Sequence, residues 1–104
     1  MIEIIKLVHN DDSSGSTNVE AMVCSSIQSA EEIILEAVNK EFSAKWKSLK
    51  DAAFELGDDL TYCIWDKENK SFAWYDNGKG ETYIIGDINT KEVDTTFQII
   101  GNID

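Results

Sequence analysis

The residues that could act as nucleophiles or zinc ligands are few and far apart in the sequence. His9 is the single histidine, and the two cysteines are Cys24 and Cys63. A Cys–His nucleophile needs the thiol within hydrogen-bond reach of the imidazole, together with a third group that orients the ring, and nothing in the spacing predicts this. One histidine and two separated cysteines also lack the ligand spacing of a zinc site. We therefore predict no catalytic residue, no metal site and no cofactor.

Acidic residues are the other candidates for chemistry, and they occur in adjacent pairs at Asp11–Asp12, Glu31–Glu32 and Asp58–Asp59. Such pairs at helix starts and in turns are typical of caps and solvated charge. The loop that begins at position 10 has a glycine where an EF-hand loop has one, but Ala21 stands where a bidentate Glu is required. A small enzyme built from acids, Tyr, Lys and His9 is the least favoured hypothesis.

Net charge limits the partners more sharply than any motif does. The chain has 20 acidic and 9 basic residues, a formal net charge of −11, and every basic residue is lysine. Four lysines and one acid fall within residues 40–50, which leaves five lysines against nineteen acids elsewhere. Duplex nucleic acid and anionic membranes repel such a surface, whereas basic proteins attract it. Without arginine, the chain also lacks the usual bidentate phosphate and guanine ligand.

The elements that must position these charges follow from hydrophobic periodicity. Strands are predicted at 2–9, 19–25, 60–66, 70–76, 81–85 and 95–100. An apolar stripe at helical spacing runs from Ile34 to Leu56. A single helix over 30–56 would be about 40 Å long, so we expect a break or bend near Lys40–Ser43. Ser29 and Ser43 are the predicted N-caps, and Gly57 is the predicted helix end.

This order, β-β-α(α)-β-β-β-β, predicts an α+β fold in which one long, bent or split helix packs on one face of an antiparallel sheet of about five to six strands. With 104 residues, the chain is expected to form a single domain over 1–104. No apolar run is long enough to cross a membrane, and the N-terminus lacks signal-peptide order. We expect a cytoplasmic protein with two reduced, largely buried thiols; a disulfide and a reactive thiol are the alternatives. The composition favours a bacterial or phage source.

The hairpin over 60–76 carries the predicted recognition surface. A three-residue loop would place Asp66 opposite Lys70, turn Ile64 and Tyr62 toward the helix, and leave Trp65 and Tyr75 on a partly exposed face, although a one-residue change in loop length would exchange the two faces. A neighbouring strand or the termini could instead cover that face. Aromatic side chains among acids are typical of protein interfaces. The predicted partner-binding residues are Asp58, Asp59, Trp65, Asp66, Glu68, Tyr75 and Asp76.

Two functions follow as hypotheses. The first is a small non-enzymatic inhibitor that binds and neutralises a basic nucleic-acid-acting protein, as a bacterial immunity protein does with a nuclease toxin or a phage anti-restriction or anti-CRISPR protein does with a host nuclease. It would contact neither nucleic acid nor membrane directly and would be a monomer or weak homodimer. The alternative is a self-associating structural or regulatory module that pairs through the apolar edge strands 2–8 and 95–100.

Overall fold

The fold is α+β, with five antiparallel strands in one sheet and two helices on one side of it. A computed structural model describes residues 1–10 and 17–87, so the predicted strand 95–100 lies outside the described residues. No helix in these described parts is long and apolar enough to cross a membrane. In chain order the elements are β1 Ile2–Asn10, β2 Thr17–Cys24, α1 Ile27–Glu41, α2 Leu49–Asp59, β3 Tyr62–Asp66, β4 Ser71–Asp76 and β5 Lys79–Asp87.

The strands lie in the order β2-β1-β5-β4-β3, and every neighbouring pair is antiparallel. β1 is therefore an interior strand, because β2 pairs with one side of it and β5 with the other. The prediction that residues 2–8 form an edge strand is wrong. Hydrophobic periodicity predicted β1 itself, but it carries no information on the long-range pairing with β5. An edge-to-edge dimer through β1 is excluded, since both of its hydrogen-bonding edges are occupied.

The helical segment is split, as predicted. α1 ends at Glu41, residues 42–48 are not helical, and α2 begins at Leu49. The side chain of Asn39 fastens this connection to α1, accepting a hydrogen bond from the Trp46 N–H at 2.9 Å and donating one to its carbonyl at 3.0 Å. Phe42 then packs edge-on against Trp74, with ring centroids 4.9 Å apart. The break therefore lets two short helices cover one sheet instead of one helix extending past it.

The N-caps differ from the predicted residues. The hydroxyl of Ser26 accepts from the N–H of Ser29, so Ser29 lies in the first turn of α1 and is not its cap. Ser48 caps α2 in the same way. An N-cap needs extended backbone, which Ser26 and Ser48 have with φ of −153° and −152°. Ser43 has φ of 52° and cannot serve.

Gly57 does not end α2, contrary to prediction. The helix continues to Asp59, and its C-cap is Leu60 in extended conformation, with φ −100° and ψ 171°. The chain passes from there into β3 without a left-handed residue, so a terminal glycine is not needed. A two-residue turn at Asn77–Gly78 joins β4 to β5, and both residues have positive φ, 50° and 88°, as a type I′ hairpin requires.

The core lies between the helices and one side of the sheet, which we call the helix-facing side. Ile34 and Val38 from α1 and Ala52 and Leu56 from α2 are buried against it. The sheet contributes Ile2, Ile4, Phe72, Trp74, Tyr83 and Ile85. Because side chains alternate along a strand, the opposite side, the outer face, consists of the odd-numbered residues of β1, β2 and β4 and the even-numbered residues of β3 and β5.

The register of the β3–β4 hairpin is one residue away from the predicted one. Asp66 pairs with Ser71 rather than Lys70, because the loop has four residues, 67–70, and Lys70 adopts a positive φ of 55°. The two faces of β3 are therefore exchanged. Trp65 turns toward the helices and packs against Phe72, with centroids 6.5 Å apart, while Ile64 is exposed on the outer face. The prediction that Trp65 and Tyr75 share an exposed face is wrong.

Candidate functional site

The strongest candidate surface is the solvent-facing side of α2. Its buried residues are Leu49, Ala52 and Leu56. On the opposite side, Asp51, Phe54 and Asp58 follow one another at spacings of three and four, which places them in one row. All three are exposed, as are Glu55 and Asp59. We call Asp51, Phe54, Glu55, Asp58 and Asp59 the α2 surface.

Phe54 is the most exposed large hydrophobic residue in the described parts of the chain, with 78% of its surface accessible. Sequence reasoning missed it as a functional residue. A signal was present, since Phe54 lies outside the apolar stripe that continues through Ala53 and Leu56. Aromatic side chains are enriched in protein interfaces, and this one does not contribute to the core. Phe54 and Trp46 line an open groove of about 390 Å³ together with two acids, Asp51 and Glu55, and two lysines, Lys45 and Lys47.

Two acids occupy the end of α2 at which a helix favours positive charge. Asp58 and Asp59 lie in its last turn, which has no basic residue. The helix dipole and the unpaired carbonyl groups at a C-terminus make carboxylates unfavourable there. The last turn of α1 differs in carrying a basic residue, Lys40, beside the acid Glu41. The two aspartates therefore oppose local stability, which is typical of functional residues.

The tip of the β3–β4 hairpin is less suited to attract a basic partner than the sequence predicts. Both carboxylate oxygens of Asp66 accept from Asn69, at 3.0 Å from the backbone N–H and 2.7 Å from the side-chain amide. These bonds lower the pKa of Asp66 and give it a structural role in the turn. Glu68 is exposed, but Lys67 and Lys70 beside it balance the charge of the tip.

Tyr75 and Asp76 lie at the other end of the hairpin, so the structure separates them from Asp66 and Glu68 by the length of β3 and β4. Tyr75 is half-buried on the outer face and stacks on Tyr62, with ring centroids 5.9 Å apart and an interplanar angle of 18°. Only two residues separate Asp59 from Tyr62. Of the predicted residues, Asp58, Asp59, Tyr75 and Asp76 therefore share one end of the sheet, whereas Trp65 is turned toward the helices.

The four lysines of residues 40–50 are all exposed. Trp46, which lies among them in the sequence, is half-buried and packs against the core. Its indole N–H donates to the carboxylate of Glu55. A lysine patch whose tryptophan is engaged in this way is typical of a solvated outer surface rather than of a nucleic-acid site.

A second polar cluster is centred on Glu81, on the helix-facing side. Its carboxylate accepts from the Tyr83 hydroxyl at 3.0 Å and from the Trp74 indole N–H at 3.2 Å, and it pairs with the Lys6 ammonium at 3.3 Å. Burial, and then the charge of Glu81, raise the pKa of Tyr83 far above its ordinary value. Three donors from β1, β4 and β5 thus satisfy one carboxylate, so the cluster links neighbouring strands.

His9 and the two cysteines lie on three different strands, β1, β2 and β3. His9 lies on the outer face, where its Nε2 is 3.3 Å from the Thr82 hydroxyl, across the sheet from Glu81. Cys24 and Cys63 are both half-buried and free. Burial raises the pKa of Cys63 to about 12. No group of three or more His, Cys, Asp or Glu within residues 1–10 and 17–87 is placed to hold a metal ion.

Comparisons with known proteins do not add a family to this description. No protein-family model matches the chain, and no curated protein or solved structure matches it.

Proposed function

We propose that this chain is a non-enzymatic inhibitor that acts in the cytoplasm by binding a basic protein that itself acts on nucleic acid. A bacterial immunity protein against a nuclease toxin and a phage anti-restriction or anti-CRISPR protein are the two kinds that fit. The net charge of −11 supports a basic partner. The inhibitor would work by covering the surface that its partner uses on nucleic acid.

The observation that carries the proposal is the composition of the α2 surface. Asp58 and Asp59 stand where the helix dipole disfavours them, and Phe54, one turn earlier, is 78% exposed. Neither feature stabilises the fold. Together they form an interface of the usual kind, with an aromatic anchor beside charged groups that remain hydrated until a partner arrives.

The mechanism follows from electrostatics. The α2 surface offers carboxylates on a rigid helix, at intervals of about 4 to 6 Å along the axis between Asp51, Glu55 and Asp58. Such fixed charges can replace phosphates in a cationic site and steer the encounter, raising the association rate constant toward ~10⁸ M⁻¹s⁻¹ at low salt. Phe54 would then enter an apolar recess and slow dissociation, because most affinity differences lie in the dissociation rate.

The experiment is capture of the partner from a native lysate of the source cells, with two immobilised baits. The first is the wild-type chain and the second carries Asp58→Lys and Asp59→Lys. A nuclease or other nucleic-acid-acting protein should be retained at low salt by the wild-type bait alone and should elute as salt rises. Adding the wild-type chain to the eluted protein should then inhibit its action on nucleic acid.

Capture of no such protein by the wild-type bait would contradict the proposal. Equal capture by both baits would show that the contact does not lie on α2. It would then lie at the hairpin tip, at Asp66 and Glu68, or on another surface. If the captured protein binds but keeps its activity, the chain is an adaptor rather than an inhibitor.

A further inference from the structure

The outer face of the sheet is a second surface that the proposed function does not use. Of its residues, only Glu3 and Asp66 carry formal charge, whereas the whole chain has a net charge of −11. Four of the seven large hydrophobic residues exposed in residues 1–10 and 17–87 lie there: Val19, Val23, Tyr62 and Ile64. Exposed apolar side chains on a face with so little charge point to an interaction site.

The four exposed residues lie on the two edge strands, Val19 and Val23 on β2 and Tyr62 and Ile64 on β3. Between them the face carries Ile5, which is buried, and Leu7, Ala73 and Ile84, which are half-buried, together with uncharged polar side chains such as Ser71 and Thr82. Each of the five strands therefore contributes at least one apolar side chain to the face. This breadth is what face-to-face packing of two sheets requires, with layers about 10 Å apart and strand directions within about 30° of each other.

We propose that the outer face binds a second copy of the chain, forming a symmetric homodimer by sheet-on-sheet packing. The distribution of charge favours a second copy over a basic partner at this face. A basic partner is drawn to the acidic helices on the other side, whereas the outer face offers it little charge. Two copies that meet through their outer faces keep α1 and α2 on opposite outsides, separated by both sheets and by more than the Debye length of about 8 Å at physiological salt.

The pairing is self-complementary. A two-fold axis along the central strand β5 brings the β2 edge of one copy over the β3 edge of the other. The registers place Val19, Leu7, Thr82, Ala73 and Ile64 at one level across the sheet, so this axis sets Val19 of one copy opposite Ile64 of the other, and the symmetry repeats this contact at the second edge. This dimer differs from an edge-strand dimer, which the interior position of β1 excludes.

The proposal is independent of the proposed inhibitor function, because it is tested on the purified full-length chain alone. Sedimentation equilibrium should show a dimer that tightens as NaCl rises from about 0.1 M to about 1 M, since the Debye length falls from about 10 Å to about 3 Å and screens the repulsion between two acidic copies. Partner capture by α2 should show the opposite salt dependence.

Ile64→Lys, on the β3 edge, should raise the dissociation constant at least about 100-fold, because each dimer would then bury two unpaired ammonium groups. Val19→Lys, on the β2 edge, should do the same. Both positions are about half exposed, 56% and 49%, so each variant should fold, which circular dichroism checks. Phe54→Lys adds the same charge on the helix side, and its dissociation constant should equal that of the wild type.

A wild-type chain that stays monomeric up to about 1 mM in high salt would overturn the proposal. A dimer that persists in both Ile64→Lys and Val19→Lys, or that is lost only in Phe54→Lys, would also overturn it, since the contact would then lie elsewhere.

Discussion

The α2 surface and the outer face of the sheet lie on opposite sides of the molecule and differ in almost every physical property. The α2 surface has four acids around one exposed aromatic ring, and the outer face has two acids among apolar side chains from five strands. Charge thus concentrates where it can attract a partner and is nearly absent where two copies can approach. Salt should weaken association through the first surface and strengthen association through the second.

Neighbouring positions on β3 provide the sharpest comparison of the two sides, and the largest expected effect. Cys63 faces α2, and burial raises its pKa to about 12, whereas Ile64 is 56% exposed on the outer face. At pH 8 the thiolate fraction of Cys63 is then about a thousandfold below that of a thiol with an ordinary pKa. Iodoacetamide labelling followed by peptide mass spectrometry should show the Cys63 thiol nearly unmodified.

The control is a variant with Cys63→Ala and Ile64→Cys, which moves the thiol by one residue to the opposite side of the sheet. In dilute protein, in which the chain is monomeric and the proposed dimer does not cover position 64, its labelling should approach the rate of an unfolded peptide. In the wild-type chain the Cys63 thiol stays protonated until the pH approaches its raised pKa. The rate of iodoacetamide labelling of Cys63 should therefore increase with pH up to about 12. Fast labelling of Cys63 at pH 8, or slow labelling of the relocated thiol, would contradict this account. It would mean that Cys63 lies on the outer face and position 64 faces the helices.

Charge reversal on α2 should have the next largest effect. Asp58→Lys with Asp59→Lys should weaken binding of the captured partner by about 100-fold or more, since close charge pairs in such interfaces couple by about 1.5–7 kcal/mol. The matched control is Glu32→Lys with Glu36→Lys, which changes net charge equally on the exposed side of α1. Isothermal titration calorimetry should show only a small loss for the control. Equal losses would mean that net charge alone, and no particular surface, attracts the partner.

Removal of the aromatic anchor should have a smaller effect on binding and almost none on folding. Phe54→Ala should reduce affinity by about 10-fold, because truncated interface anchors typically cost more than about 1 kcal/mol. Its free energy of unfolding should change by less than about 0.5 kcal/mol, as for exposed positions generally. Phe72→Ala, in the buried core, should instead destabilise by about 3–5 kcal/mol. Urea unfolding measures the free energy of unfolding of both variants. A large loss of stability in Phe54→Ala would show that this ring packs against the fold and is not held free for a partner.

The smallest effect is expected at the hairpin tip. Glu68→Lys should change partner affinity by less than about threefold, within the usual range for a screened surface charge. Lys67 and Lys70 already balance Glu68 and Asp66, and Asp66 is engaged by Asn69. If Glu68→Lys instead lowered partner affinity as much as the charge reversal on α2, the hairpin tip would belong to the partner-binding surface, as the sequence predicts.

Much of the fold follows from local patterns. The α+β class, the split helix and the Asn77–Gly78 turn are visible as periodicity and turn chemistry. Which side chains of β3 face the helices was not visible in the sequence, because this depends on the length of the β3–β4 loop. A positive φ at Lys70 adds one residue to that loop. The interior position of β1 depends on pairing with β5, more than sixty residues away in sequence, which no local pattern encodes.

The candidate site was only partly predictable. Asp58 and Asp59 were chosen for their charge, but their conflict with the helix dipole became visible only when α2 was found to run past Gly57 to Asp59. Phe54 could have been found as the large apolar residue of α2 that lies off the helical stripe. Trp65 was assigned to the wrong face by the same one-residue register difference that exposes Ile64.

The most direct test of the central claim is the salt dependence of partner affinity, measured for the wild type and for Asp58→Lys with Asp59→Lys. If the α2 surface is the working part of the molecule, affinity of the wild type should fall steeply with salt, and the reversal should lower the affinity and flatten the slope. A wild-type affinity that is insensitive to salt, or a slope that the reversal leaves unchanged, would contradict it.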